Sequence, residues 1–366
     1  MRASATHLDR FAPPHRTDVQ ELAASSRALA DLADSFPAML FALATGYGTA
    51  TARRHCLELV LAGRPLKEAA AELGLPLWLK RLPPEAFDTP LTRLPAGEEF
   101  GRRIVNHLPL ESWKAVSWFR RVTVAADLAG EDFALWLAWR TKAAPRHRDI
   151  NRIVLLSAWA FYSSRPDTLG HGLLRGAFAP GLGFRKALEE AEAWKRRVDL
   201  AIAIGEGISD AWYPEGEVNG FRFVPLQTLD DFLAEAAAMD NCLDQYGTKV
   251  GMRATRIFSV RQGERRIADV EFGPHDDDCT MPAIEQLRGP GNRRVPAAVW
   301  TAAYAFLGQQ KPRPLGSGLR SATIAGSRAA AKRIWRPFVE ATTDRASTPL
   351  VRAFLRATEP FDPGIV

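Results

Sequence analysis

RIFSVRQGERRIADVEF, residues 256–272, decides the fold. Ile257, Ser259 and Arg261 alternate with Phe258 and Val260, and a two-residue period sends alternate side chains to opposite faces of a strand. The same pattern returns from Arg266 to Phe272, after a glycine-containing turn over Gln262 to Arg265. Two alternating runs joined in this way predict a β-hairpin. Working outward, Ala283 to Leu287 reads as a third short strand and Gly220 to Pro225 as one before the hairpin. Thr228 is a credible N-cap for a helix from Leu229 to about Met239, with Asp230 and Asp231 in its first turn. Pro296 starts a helix that runs to Leu307. Gly205, Gly207, Pro214, Gly216 and Gly220 punctuate a loop region ahead of these elements.

Upstream the period changes. From Asp18 to about Ala203 apolar residues recur at helical spacing, as in Val19, Leu22, Leu29 and Leu32. Tryptophans gather here: Trp78, Trp113, Trp118, Trp136, Trp139, Trp159 and Trp194. Such a set could form stacking platforms for single-stranded nucleic acid, but large rings on helical stripes more simply anchor a core. Trp136 and Trp139, three apart, are expected on one core-facing stripe. Leu66 to Leu82 has the outline of a helix-turn-helix. Its second half is apolar (Leu77, Trp78, Leu79, Leu82) and bounded by Pro76 and Pro83, so a packed helical hairpin is the better expectation.

The 366 residues suit two domains, and 46% hydrophobic with 25% charged residues is ordinary globular usage. The three cysteines, Cys56, Cys242 and Cys279, have no CxxC spacing and form no zinc pattern, which suggests a reduced, cytoplasmic protein. No secretory signal is expected from Met1 to Arg16, nor a membrane span from the longest apolar passage, Ile153 to Tyr162. The net charge of +6 is only modestly basic, but its distribution is uneven. Lys311, Arg313, Arg320, Arg328, Lys332 and Arg333 lie in a stretch to Arg336 that has no Asp or Glu. A basic arm of this kind can hold DNA or RNA through phosphate contacts and counterion release; the plainer alternative is a solvated linker ahead of a helix at Ser327 to Val339.

Four pieces now stand in order: Met239-Asp-Asn-Cys-Leu-Asp-Gln-Tyr246, the two hairpin strands, and Glu285-Gln-Leu-Arg-Gly-Pro-Gly-Asn292. This set resembles the PcfJ-like family, which is associated with conjugative plasmids and other mobile elements. Met239, Cys242, Tyr246, Gln286, Gly289 and Asn292 match its motif positions. The resemblance covers roughly 70–90 residues, the length of a small domain. It implies a small α+β domain and a mobile-element context, with no known reaction. Family members often carry His at or beside the position before the cysteine; here that residue is Asn241.

Three chemistries are open. Cys242 with His275 as base, Gln286 as oxyanion donor and Asn292 as orienter would have the parts of a thiol hydrolase; the plainer alternative is Cys242 as a small buried hydrophobe at a helix end and His275 in an exposed turn. Asp269 and Glu271 project from one strand face and, with Asp276, Asp277 and Asp278, could attract a divalent cation. The simpler expectation is an exposed strand face paired with Arg256 or Arg266, and no metal or cofactor. Gln286, Gly289 and Asn292 could read a base edge while Arg288, Arg293 and Arg294 contact phosphate. Equally, they form a structural turn in which Gly289 and Gly291 take positive φ and Asn292 caps the helix near Pro296.

The expected architecture is α+β: a leader (1–16), a large helical region (17–205), a small α+β domain with an antiparallel hairpin sheet (215–308) and a basic helical tail (309–366). Met239, Asn241, Tyr246, Arg256 and Glu271 complete the expected pocket. The expected role is a nucleic-acid-associated accessory factor; the alternatives are a cysteine- or metal-dependent hydrolase and a protein-interaction module.

Overall fold

The computed structural model describes residues 5–92, 94–109, 111–141, 150–251, 255–274, 282–311 and 320–358. It is an α+β protein with two compact units. One unit comprises Met1–Pro166, Gly176–Ala191 and Phe338–Phe354; the other comprises Asp167–Arg175, Glu192–Pro337 and Leu355–Val366. Among the described residues no helix is long and apolar enough to cross a membrane.

The first unit is built on helices, the longer ones being α1 (Pro13–Ala24), α2 (Pro37–Ala44), α3 (Ala50–Leu61), α4 (Leu66–Leu73), α5 (Ser112–Ala129), α6 (Glu131–Thr141) and α7 (Ile150–Ser163). α2 and α7 are apolar nearly all round and are buried from Pro37 to Leu43 and from Ile153 to Tyr162. Most of the tryptophans here are core anchors. Trp78, Trp118, Trp136 and Trp159 are buried, and the indole N–H of Trp78, Trp136 and Trp159 each reaches a backbone carbonyl. Trp113 and Trp139 depart from that pattern, each 53% exposed and set against a cation, Lys114 or Arg140. The expectation that Trp136 and Trp139 share a core stripe therefore holds for Trp136 alone. α4 closes at left-handed Gly74, and the segment after it is a 3-10 turn, Leu77–Arg81, rather than an α-helix. Pro76 and the Pro83–Pro84 pair leave too little chain for more, and the buried Trp78 and Leu79 make this a packed hairpin.

The second unit contains the sheet: β1 (Gly216–Val218), β2 (Phe221–Pro225), β3 (Arg256–Gln262), β4 (Arg265–Pro274) and β5 (Pro282–Arg288), antiparallel in the order β1-β2-β3-β4-β5. It is a five-stranded meander, the four strands expected with β1 added at the edge. β1 lies in the stretch expected to be loop. Its signal was the Asn219-Gly220 pair, whose positive φ values of 52° and 77° close a two-residue turn between Val218 and Phe221. The longer helices of this unit are the C-terminal half of α8 (Phe184–Ile204), α9 (Leu229–Met239), α10 (Ala297–Gly308) and α11 (Arg320–Thr342) to Pro337.

The alternation gives each sheet face its own character. One carries Phe223, Phe258, Val260, Ala268, Val270, Phe272 and Leu287, and α10 packs on it through Val299, Ala302, Ala303 and Phe306. On the other face Ile257 joins Leu200 and Ile204 of α8, Leu226 just after β2, Phe232 and Ala236 of α9, and Leu243 and Val250 beyond it. That face also buries Ser259, Asp269 and Glu271.

α9 starts where expected. Thr228 Oγ1 accepts from Asp231 N at 3.2 Å while Asp231 Oδ2 accepts from Thr228 N at 2.8 Å, a reciprocal capping box. Thr228→Ala is expected to lower stability by about 1 kcal/mol in chemical denaturation, and Thr228→Ser to recover most of that loss.

Candidate functional site

α9 ends at Met239, which is buried, and Asp240 takes a left-handed conformation with φ 47°. This reverses the chain and lays Asn241 to Val250 across β4 and β5. Asn241 Nδ2 donates to Asp269 Oδ2 at 2.5 Å, and its Oδ1 accepts from Leu243 N at 3.2 Å. The carboxamide thus fixes both the turn and one oxygen of Asp269. Further on, Gly247 lies directly against the backbone of α8. A Cβ there would stand 2.9 Å from Asp199 C and Leu200 N, so only glycine fits. That close approach seats Tyr246 and Lys249 over Glu271. Tyr246 OH donates to Glu271 Oε2 at 2.8 Å with Gln286 Oε1 at 3.3 Å, while Lys249 Nζ at 2.6 Å and Thr255 Oγ1 at 3.1 Å satisfy Glu271 Oε1.

The β-ladder explains why these groups meet. Glu271 is opposite Gln286 and Asp269 opposite Arg288 across β4 and β5, and Asp269 is opposite Ser259 across β3 and β4. A register shift beside Glu271 makes room for Glu285 as an extra residue on β5.

The resulting cleft is lined by Asn241, Cys242, Leu243, Tyr246, Ile257, Asp269, Glu271, Gln286, Arg288 and Asn292. The helix-end thiol and the amide-bearing turn are therefore brought to one place by the intervening strands, with Asn292 Nδ2 4.0 Å from Cys242 Sγ. The cavity is small, about 30 Å³. It has room for a water or one end group of a larger molecule, and is far below the size of a metabolite pocket.

Beneath the cleft is a buried carboxyl pair. Glu235 of α9 is fully buried and accepts from Ser259 Oγ and Arg266 Nε, each at 2.8 Å, with Arg261 Nη2 at 3.7 Å. Asp269 is 7% exposed, and its Oδ1 meets no donor among the described residues. Burial pushes the Asp269 carboxyl up to about 8, and the negative Glu235 adds to the rise; Asn241 and Arg266 oppose it. Such an environment favours the neutral form of the acid. Burial likewise raises the Tyr246 phenol, reinforced by its bond to Glu271. Desolvation pulls the Lys249 ammonium down, but its bond to Glu271 and the charges of Glu271 and Glu285 outweigh it and leave the ammonium above its ordinary value.

These facts revise several expectations. The Asp269/Glu271 face is buried beneath α9 and the following turn instead of exposed. The two carboxylates are spent on separate partners, and among the described residues no group of three or more His, Cys, Asp or Glu is disposed to hold a metal ion. Arg266 pairs with Glu235, whereas Arg256 leaves the cleft. Its Nε donates to Asp210 O at 2.5 Å, its Nη1 donates to Thr255 O at 2.7 Å, and its guanidinium lies over Trp212. Gly289 has φ −87° and so does not supply the left-handed turn; Gly291 and Asn292 do, at 62° and 58°. Pro296 occupies the N-cap of α10, and Asn292 faces Cys242 instead of capping.

His275 and Asp276 to Asp278 lie outside the described residues, as does Arg313; Arg320 begins α11. Arg288, Asn292, Arg293 and Arg294 are exposed, as are Lys311 and, on α11, Arg328, Lys332 and Arg333. Glu235, Lys249 and Thr255 were not singled out from sequence. Glu235 had a signal: it sits three residues after Phe232 and four before Met239, on the buried stripe of α9. Lys249 and Thr255 had none.

No family model, curated protein or solved structure matches this chain.

Proposed function

We propose that the cleft on the second unit docks a nucleic acid, and that the protein is a nucleic-acid-associated accessory factor. The observation that carries this reading is convergence. Three carboxamides, Asn241, Gln286 and Asn292, share one cleft with Arg288, and the exposed Arg293 and Arg294 follow at its rim. All three arginines are exposed, so an anion can reach them. Amides offer both donor and acceptor to a base edge. A cavity of about 30 Å³ suits one protruding group of a polymer better than a whole small substrate. The resemblance to the PcfJ-like family supplies the mobile-element setting of the proposal and nothing about a reaction.

The test is binding of labelled DNA and RNA oligonucleotides to the full chain across a salt series. Affinity should fall steeply with salt, as counterion release requires. Arg293→Glu combined with Arg294→Glu should weaken binding by about tenfold or more and reduce the steepness of the salt dependence by about two phosphate contacts. A chain that shows no salt-sensitive affinity near physiological ionic strength would refute the proposal.

A further inference from the structure

Resting on that nucleic-acid reading, we infer that the outward face of α10 is a base-stacking platform, and that the ligand is therefore single-stranded. Trp300 and Tyr304 are one helical turn apart, their rings 5.8 Å apart at 29°. Tyr304 is 60% exposed, so its outer ring face is open to a ligand. Trp300 is half-buried and packs against the aromatic core of the sheet, which makes it a fixed backing for Tyr304. Among the described residues of α10, Ala297, Ala298, Thr301 and Gly308 around the pair are exposed and short and leave the ring uncovered.

Charge identifies the occupant. From Gln286 to Val339 the sequence contains no Asp or Glu. Arg293 and Arg294 precede α10 and Lys311 follows it, all three exposed. The helix is about 18 Å long, so cations bracket the ring pair within the reach of a few nucleotides. A flat aromatic surface in a purely positive stretch complements a ligand that carries flat rings and regularly spaced phosphates. In a duplex the base faces are occupied by their own stack; only an unpaired strand has them free. The platform would take one or two bases while Arg293, Arg294 and Lys311, at the two ends of α10, hold the adjoining phosphates.

The experiment compares a labelled oligothymidine strand with a hairpin duplex of the same length, using the full chain at moderate salt. The single strand should bind at least tenfold more tightly. Tyr304→Ala should weaken single-strand binding by about five- to a hundredfold, the range for losing one stacked base. It should leave duplex binding unchanged, and Tyr304→Phe should bind as the parent does. Because Tyr304 is largely outside the core, its loss leaves the fold intact, and unchanged thermal unfolding of the variant verifies this. The inference is overturned if strand and duplex bind equally, if Tyr304→Ala is silent, or if its effect is instead to abolish self-association. Binding that needs Arg293 and Arg294 but not Tyr304 removes the platform alone. A parent chain that binds neither probe removes the cleft reading with it.

Discussion

Phe306→Ala should lower the unfolding free energy of the sheet-bearing unit by about 3–5 kcal/mol, the cost of emptying a large aromatic site in a packed core. Phe306 is the knob that joins α10 to the sheet. Its ring stacks on Phe223 at 4.4 Å and meets Phe258 at 5.8 Å, Phe272 at 6.1 Å and Tyr213 at 6.4 Å. Three of those partners, Phe223, Phe258 and Phe272, are on paired strands, where the ladder prevents the collapse that would refill the space. Urea titration combined with hydrogen exchange of the β2, β3 and β4 amides reads the effect in the correct unit. A loss below about 1 kcal/mol, the ordinary mutational mean, would mean that α10 is not the lid of this core.

The second large effect is electrostatic. Glu235→Ala should cost about 3–5 kcal/mol, because it strips the carboxylate from buried or half-buried Arg266, Arg261 and Ser259. Asp269→Asn should do the reverse at alkaline pH. The folded Asp269 carboxyl titrates near 8, against 3.8 for an ordinary aspartate. Between those values the folded chain holds a proton that the unfolded chain has released, so stability falls as pH rises from about 4 to about 8 and is level outside that window. Asparagine has the shape of the neutral acid, accepts from Asn241 with its oxygen and can donate to Glu235 with its amide. The variant should therefore lack this slope and exceed the parent by about 1–3 kcal/mol at pH 8. Urea midpoints at pH 5 and pH 8 for the two proteins decide it. An identical slope in both would show that Asp269 is not the proton holder.

The elements that carry the second unit were readable because they depend on neighbours in sequence. The 256–272 hairpin, the Thr228 cap and the start of α10 at Pro296 each rest on a local period or a local hydrogen-bonding side chain. β1 was missed because three residues are too few to show a period, although Asn219-Gly220 marked its turn. The short α-helical reading after Gly74 failed for a local reason too, since prolines at both ends limit the segment to a 3-10 turn. The cleft was legible only in part. Cys242, Tyr246, Gln286 and Asn292 were named beforehand and do share one cleft. Arg256 was named with them and turns away.

Sequence by itself determined which residues alternate, where α9 begins and ends, and that the stretch from Lys311 to Arg336 carries cations and no Asp or Glu. Tertiary structure alone decided that Asp269 is buried near Glu235, which raises its proton affinity, and that Lys249 and Thr255 close on Glu271. The reason is the distance dependence of the forces involved. A strand period or a helix cap is a contact between residues a few positions apart, whereas a proton affinity is set by desolvation and by charges brought within a few ångströms from remote parts of the chain.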